Sequence, residues 1–191
     1  MKSILLMGIK HCGKSSMGKL LSKKMDLPFY DSDLVLEEMT GKTCRQIYSE
    51  EGEEAFKKAE CLAFKKILEE INLSQNKKAI IASGGGFCKN KEAIEFLKDS
   101  CTFVFLKTQE KIASSRILKE AKFDSQGKLT NLPAYIAKKN PQTKKDVQEF
   151  FHTFYTERNQ IYQELADVTV QMTSESPKKN CAYILSAIQS N

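Results

Sequence analysis

Short apolar runs alternate along the chain with longer stretches of helical periodicity. The runs are SILLMG (3–8), PFYDS (28–32), AIIAS (79–83), CTFVFL (101–106) and DVTVQM (167–172). Between them, apolar residues recur every three or four positions over about 14–25, 33–39, 52–73, 90–98, 109–121, 146–165 and 177–189. Strand–helix alternation of this kind predicts an α/β fold, a parallel sheet covered by helices on both faces. There is no internal repeat and no sign of a second core, so residues 1–191 are expected to form a single domain. One segment departs from the alternation. Residues 122–146, KFDSQGKLTNLPAYIAKKNPQTKKD, are polar, carry Gly127, Pro133 and Pro141, and are long for a connection. A lysine-rich segment of this length is expected to be a lid over an anionic ligand.

Two helical faces carry charges where the pattern predicts apolar side chains. Positions 147, 151, 154, 158, 161 and 165 are Val, Phe, Phe, Arg, Ile and Leu, one face of a helix. Arg158 is therefore expected to point inward, where a guanidinium needs an anionic partner from the protein or a ligand. Phe56, Glu60, Ala63, Ile67 and Ile71 share another face, with Lys57 beside Glu60 at i,i+3. That pair is either a helix-surface ion pair or part of the mouth of a site. The aromatic run FFHTFY (150–155) suggests base stacking, but Phe151 and Phe154 already belong to the apolar face, and packing explains them better. His152 falls off that face and is expected on the surface.

The chemistry begins where the first strand ends. Gly8-x4-Gly13-Lys14-Ser15 fits a phosphate-binding loop between a strand and a helix. Its glycines let successive N–H groups converge on one concavity, and the helix adds its positive end. Lys14 is expected to bridge the β- and γ-phosphates of a nucleotide, and the Ser15 hydroxyl to bind Mg²⁺. Gly8, Gly13, Lys14, Ser15 and Ser16 form the expected nucleotide-binding set. The second strand ends in YDSD, with Asp31 and Asp33 at the end that faces the ligand crevice in parallel sheets. One carboxylate would hold hydrated Mg²⁺ and the other accept a hydroxyl proton, unless Asp33 only caps the next helix. The third strand runs into Gly84, Gly85 and Gly86. Such a triplet marks either a tight turn or a backbone that a ligand approaches closely.

Composition narrows this picture without redirecting it. The net charge of +6 is spread over lysine pairs separated by acidic helices, and no nucleic-acid motif accompanies it. An anionic small-molecule site suffices to explain the excess. The six cysteines form no CxxC pair and there are only two histidines, so free thiols are expected rather than a zinc site. Cys12, close to a helix N-terminus, is the thiol open to acidification. SILLMGI is too short for a signal-peptide core, and no apolar run reaches membrane-spanning length, so a cytoplasmic protein is expected.

Taken in order, these segments resemble the shikimate kinases, small members of the nucleoside-monophosphate-kinase-like group, from Met7 to about Thr173. DSD (31–33) is similar to the family's DxD, GEEAFKKAE (52–60) to its GExxFRxxE, and SGGG (83–86) to its glycine triplet. RNQIYQELAD (158–167) is similar to its late RxxxY…AD segment. The resemblance implies a three-layer P-loop kinase fold with a five-stranded parallel sheet in the order 2-3-1-4-5 and a mobile lid. It implies ATP and Mg²⁺, transfer of the γ-phosphoryl group to the 3-hydroxyl of shikimate, and a monomer that binds a small molecule rather than nucleic acid or membrane. A related kinase acting on another polyol or hydroxy acid is the alternative.

Carried over, Ser15 and Asp31 serve Mg²⁺, while Asp33 holds the accepting hydroxyl and acts as base. Gly84, Gly85 and Gly86 border the substrate, with Gly85 offering its backbone, and Arg158 grips the shikimate carboxylate. Arg116, in SSRIL, packs against adenine. Two positions depart from the family. Lys57 stands where the family has arginine, and loss of the bidentate fork is expected to weaken carboxylate binding by about 1–2 kcal/mol. Leu132, before Pro133, stands where the family has its lid arginine, leaving Lys128, Lys138 or Lys139 to substitute.

Overall fold

The computed structural model describes residues 2–190, so positions 1 and 191 of the expected domain lie outside it. In chain order, β1 (Ser3–Met7) leads to α1 (Lys14–Met25), and β2 (Phe29–Asp31) to α2 (Ser32–Thr40). Then come α3 (Cys44–Glu50) and α4 (Glu53–Leu73), followed by β3 (Ile80–Ala82) and α5 (Lys91–Leu97). β4 (Cys101–Lys107) and α6 (Glu110–Glu120) precede a hairpin of β5 (Lys122–Phe123) and β6 (Leu129–Thr130). α7 (Ala134–Ala137), α8 (Lys144–Leu165), β7 (Val168–Gln171) and α9 (Pro177–Gln189) complete the chain.

The main sheet has five strands in the order β2-β3-β1-β4-β7, all parallel. This is the expected order, with β7 in the fifth place because the hairpin intervenes. All of β1 is buried, as a strand covered on both faces must be. Around it Leu5, Leu6, Ile80, Ile81, Val104 and Phe105 are fully enclosed. Phe64, Phe87 and Phe103 continue the core as edge-to-face pairs, with centroids 5.4 and 5.9 Å apart. Among the described residues, no helix is long and apolar enough to cross a membrane.

Several boundaries follow from capping. Asp31 is the N-cap of α2, its carboxylate accepting from the Asp33 N–H at 3.2 Å. Thr43 and Gln46 form a capping box that starts α3, a helix the periodicity did not predict. Thr143 and Asp146 form another, so α8 begins at Lys144 rather than at 146. The segment 122–146, expected to be a lid, is more ordered than its composition suggests. It holds the β5–β6 hairpin and α7, and buries Leu129, Leu132 and Ile136 against the core.

Parallel register sets the site. Asp31 pairs with Ala82, and Ala82 with Leu6, so three strand ends meet at one edge. The loop after β1, the DSD segment and the glycine triplet are neighbours for that reason.

Candidate active site

Gly8 and Gly13 have φ of 147° and 100°, the region that favours glycine. A Cβ on Gly8 would lie 2.9 Å from Cys12 Sγ and 3.0 Å from the Leu106 carbonyl oxygen. The loop is thus wrapped tightly over the end of β4, with Cys12 buried beneath it. Lys14, 9% exposed, donates from Nζ to the carbonyls of Gly8 at 2.9 Å and Ile9 at 3.0 Å. These bonds hold the ammonium at the rim of the loop. Ser15 Oγ donates to Asp31 Oδ2 at 2.6 Å, joining the first turn of α1 to the end of β2.

Asp31 caps α2, and Asp33 therefore does not. Asp33 sits in the first turn of α2, where burial raises its carboxyl above the ordinary value and the charge of Lys14 opposes the rise. A Cβ on Gly84 would lie 2.8 Å from Asp33 Oδ1 and 3.1 Å from Glu60 Oε1, and one on Gly85 3.0 Å from the Lys10 nitrogen. The close approach that the triplet permits is thus to the protein's own carboxylates and loop. Glu60, 2% exposed, accepts from Asn90 Nδ2 at 2.8 Å through Oε2, while Oε1 has no partner among the described residues. Burial lifts this carboxyl to about 7.

Arg158 departs from the inward-facing expectation. Its guanidinium stands at the edge of the core, over the rings of Tyr135 at 4.6 Å and Phe154 at 5.1 Å. Nη1 donates to the Gly85 carbonyl at 2.8 Å, while the buried Nε has no partner and no carboxylate pairs with the group among the described residues. Phe154 accordingly packs on the arginine rather than in the core. Phe151, on the predicted face of α8, is fully enclosed, and so is Tyr162, one position off that face, whose hydroxyl donates to the same Gly85 carbonyl at 3.2 Å.

A cavity of about 420 Å³ brings these parts together. Lys14, Ser15, Ser16, Asp31 and Asp33 line one side, and Gly85, Gly86 and Arg158 another. Arg45 and Tyr48 of α3, with Pro133 and Tyr135 at α7, line a third. A family model for shikimate kinase matches residues 10–189 of the chain. The chain belongs to the shikimate kinase family. The Salmonella newport protein named shikimate kinase 1 is 28% identical over 192 residues, covering 100% of this chain and 98% of the relative. The solved shikimate kinase of Aquifex aeolicus has a TM-score of 0.70 at 26% identity, over 99% of this chain and 97% of that one. The Acinetobacter baumannii shikimate kinase, solved in complex with shikimate, has the same fold, with a TM-score of 0.76 at 24% identity, over 100% of this chain and 94% of that one.

Within the shikimate kinase fold the remaining candidates fall into place unevenly. Lys57 lines an adjoining cavity of about 570 Å³ with Glu60, Gly86, Lys138, Lys139 and Arg158. It does not pair with Glu60. It meets Glu53 at 3.0 Å and Glu54 at 3.1 Å instead, because these lie one turn back on the same face of α4. Arg116 is exposed on α6 and donates to the His11 carbonyl, outside both cavities. Gly8 and Gly84 shape the site from behind without lining it. Of the lid lysines, Lys138 lies over the Tyr48 ring at 5.8 Å and Lys139 borders the adjoining cavity, while Lys128 borders neither. Leu132 is buried at 2% exposure.

Arg45, Tyr48 and Tyr135 escaped the sequence reading. A signal existed for the first two, since Thr43-x-x-Gln46 is a capping-box pattern that announces α3. His152 is exposed beside Glu110, as expected. All six cysteines are free, and no cluster of three or more His, Cys, Asp or Glu side chains suited to a metal occurs among the described residues.

Proposed function

We propose that this protein transfers the γ-phosphoryl group of ATP to the 3-hydroxyl of shikimate, giving shikimate 3-phosphate. The observation that carries this reading is Arg158. Its guanidinium borders the cavity of Lys14 and Asp33, is backed by aromatic rings, and has no carboxylate partner among the described residues. A planar fork held this way is suited to a carboxylate on the acceptor.

In this reading the loop amides and Lys14 hold the phosphates, and Lys14 exchanges its loop carbonyls for the β- and γ-oxygens. Asp33, whose burial raises its affinity for a proton, orients the acceptor hydroxyl and takes its proton as the bond to phosphorus forms. Ser15 and Asp31 are the groups that would hold Mg²⁺. They are too few to bind it alone, which fits an ion that keeps waters and phosphate oxygens as its other ligands. Bound there, the ion neutralises charge on the phosphates. Arg116, hydrogen-bonded to the loop, flanks the nucleotide, and the segment 122–146 closes over the reactants as a lid of the same domain. Free thiols suit a cytoplasmic enzyme. We take it as a monomer acting on a small molecule, without nucleic acid or membrane.

ADP release with Mg²⁺-ATP, measured over shikimate, quinate, gluconate and a nucleoside monophosphate, tests the reading. Turnover with shikimate is expected to exceed the others by far. A better acceptor among the rest would overturn the assignment and trace the change to Lys57 and Leu132.

A further inference from the structure

Leu132 leaves the lid without the arginine that the family resemblance leads one to expect there, and an arginine from another element contacts that position. Arg45, in the first turn of α3, donates from Nη2 to the Leu132 carbonyl at 2.7 Å. It lines the cavity that holds Lys14, Ser15 and Asp33, and it does not line the adjoining cavity of Lys57 and Arg158. Its neighbour Cys44 touches the Asp33 carbonyl, Sγ to O 3.8 Å, so this turn of α3 stands directly beside Asp33.

We propose that Arg45 grips the γ-phosphoryl group of ATP during transfer, in place of a lid arginine. This rests on the kinase reading above. Three features support it. First, the guanidinium has five N–H donors, one is engaged by a neutral carbonyl, and Arg45 forms no ion pair among the described residues. Second, charge builds on the transferring oxygens between the phosphate loop and the acceptor hydroxyl, and a planar fork on the lid side of that point stabilises it. Lys14 approaches from the loop and Arg158 from the acceptor side, so Arg45 supplies the third direction. Third, the anchor for Arg45 is a lid carbonyl. Its orientation is thus tied to the placement of Leu132 and Pro133, and the cation reaches its working position when the lid lies over the site.

The same wall explains why a buried leucine is tolerated at position 132. The side chain of Leu132 packs into the core while its backbone oxygen does the work of holding the arginine. A cation carried on α3 replaces one carried on the lid, and the lid keeps only the positioning role.

The test compares wild type with Arg45→Ala and Arg45→Lys. In Arg45→Ala, kcat is expected to fall roughly a hundredfold, the usual effect of removing one donor to a developing charge, while KM for shikimate changes little. Arg45→Lys should recover only part of the loss, because an ammonium lacks the fork. Calorimetry of nucleotide binding supplies a readout independent of the acceptor. The β,γ-imido analogue of ATP should bind about tenfold more weakly to Arg45→Ala, with ADP affinity unchanged, the worth of one charge-assisted contact to the γ-phosphate. Unchanged kcat, or equal losses for the analogue and ADP, would overturn the proposal. A raised KM for shikimate with unchanged kcat would also overturn it and put Arg45 on the acceptor. If wild type fails to phosphorylate shikimate, the functional reading falls, and the analogue-against-ADP comparison still decides the role of Arg45. Thermal midpoints of the ligand-free variants should match wild type, since the residue sits on the surface of α3.

Discussion

Replacing Glu60 with glutamine removes a carboxyl whose protonation the fold controls. Glu60 lies on the inner face of α4 at 2% exposure, with Asn90 on one oxygen and nothing on the other among the described residues. Burial is the main cause that lifts it from 4.5 to about 7; the Asn90 hydrogen bond opposes the rise and the charge of Asp33 adds to it. A difference of that size corresponds to about 3 kcal/mol. The folded-state value is the raised one, so between pH 4.5 and about 7 the folded chain keeps a proton that the unfolded chain has lost. The contribution of Glu60 to stability is therefore greatest below pH 4.5, declines as pH rises to about 7, and is flat above that. Glutamine has no such slope, and the other titrating groups largely cancel between the two proteins. Urea unfolding of both, without ligands, should show the variant gaining on wild type by up to about 3 kcal/mol on going from about pH 5 to about pH 8. An identical difference at the two pH values would refute the reasoning, because it would mean that Glu60 ionises in the fold as it does in the open chain.

Other substitutions probe neighbouring parts of the site. Lys14→Ala should lower turnover at least roughly a hundredfold in a steady-state ADP-release assay, since it removes charge from the phosphate rim, and wild-type-like turnover would sink the loop assignment. Lys57→Arg should lower KM for shikimate by restoring a fork; an unchanged KM would mean that Glu53 and Glu54 keep the cation away from the acceptor. Gly84→Ala would press a methyl against the Asp33 and Glu60 carboxylates, at 2.8 and 3.1 Å. It should reduce kcat by displacing Asp33 and lower unfolding stability by about 1–3 kcal/mol, read by urea titration; retention of both would show that the two carboxylates yield freely.

Local chemistry explains which features were legible in the chain. The phosphate loop is a contiguous pattern whose glycines, lysine and serine act within one strand–loop–helix unit, and it folds as read. The alternation of apolar runs and helical faces likewise reports burial on both sides of a parallel sheet, which is why the parallel sheet and the β1 core were accessible, while the strand order was implied by the family resemblance. The face through Phe56, Glu60, Ala63, Ile67 and Ile71 was also accessible, because burial along α4 repeats with the helix. The pairing of Lys57 was not, since one helical face offers partners on either side and sequence spacing does not choose between Glu60 and Glu53 with Glu54.

Arg158 shows the limit of periodicity. Its place on the α8 face is correct, yet a face has an edge, and only the packing of Tyr135 and Phe154 put this side chain at the cavity rather than in the core. The partner carbonyl, Gly85, is 73 positions away in the chain, and that of Arg45, Leu132, is 87 away. The sequence by itself determined the parallel sheet, the phosphate loop, the carboxylates at the strand ends and the family resemblance, which in turn implied the strand order. Tertiary structure alone brought Arg45 and Arg158 to one cavity, because that placement depends on contacts between distant segments that no local pattern encodes.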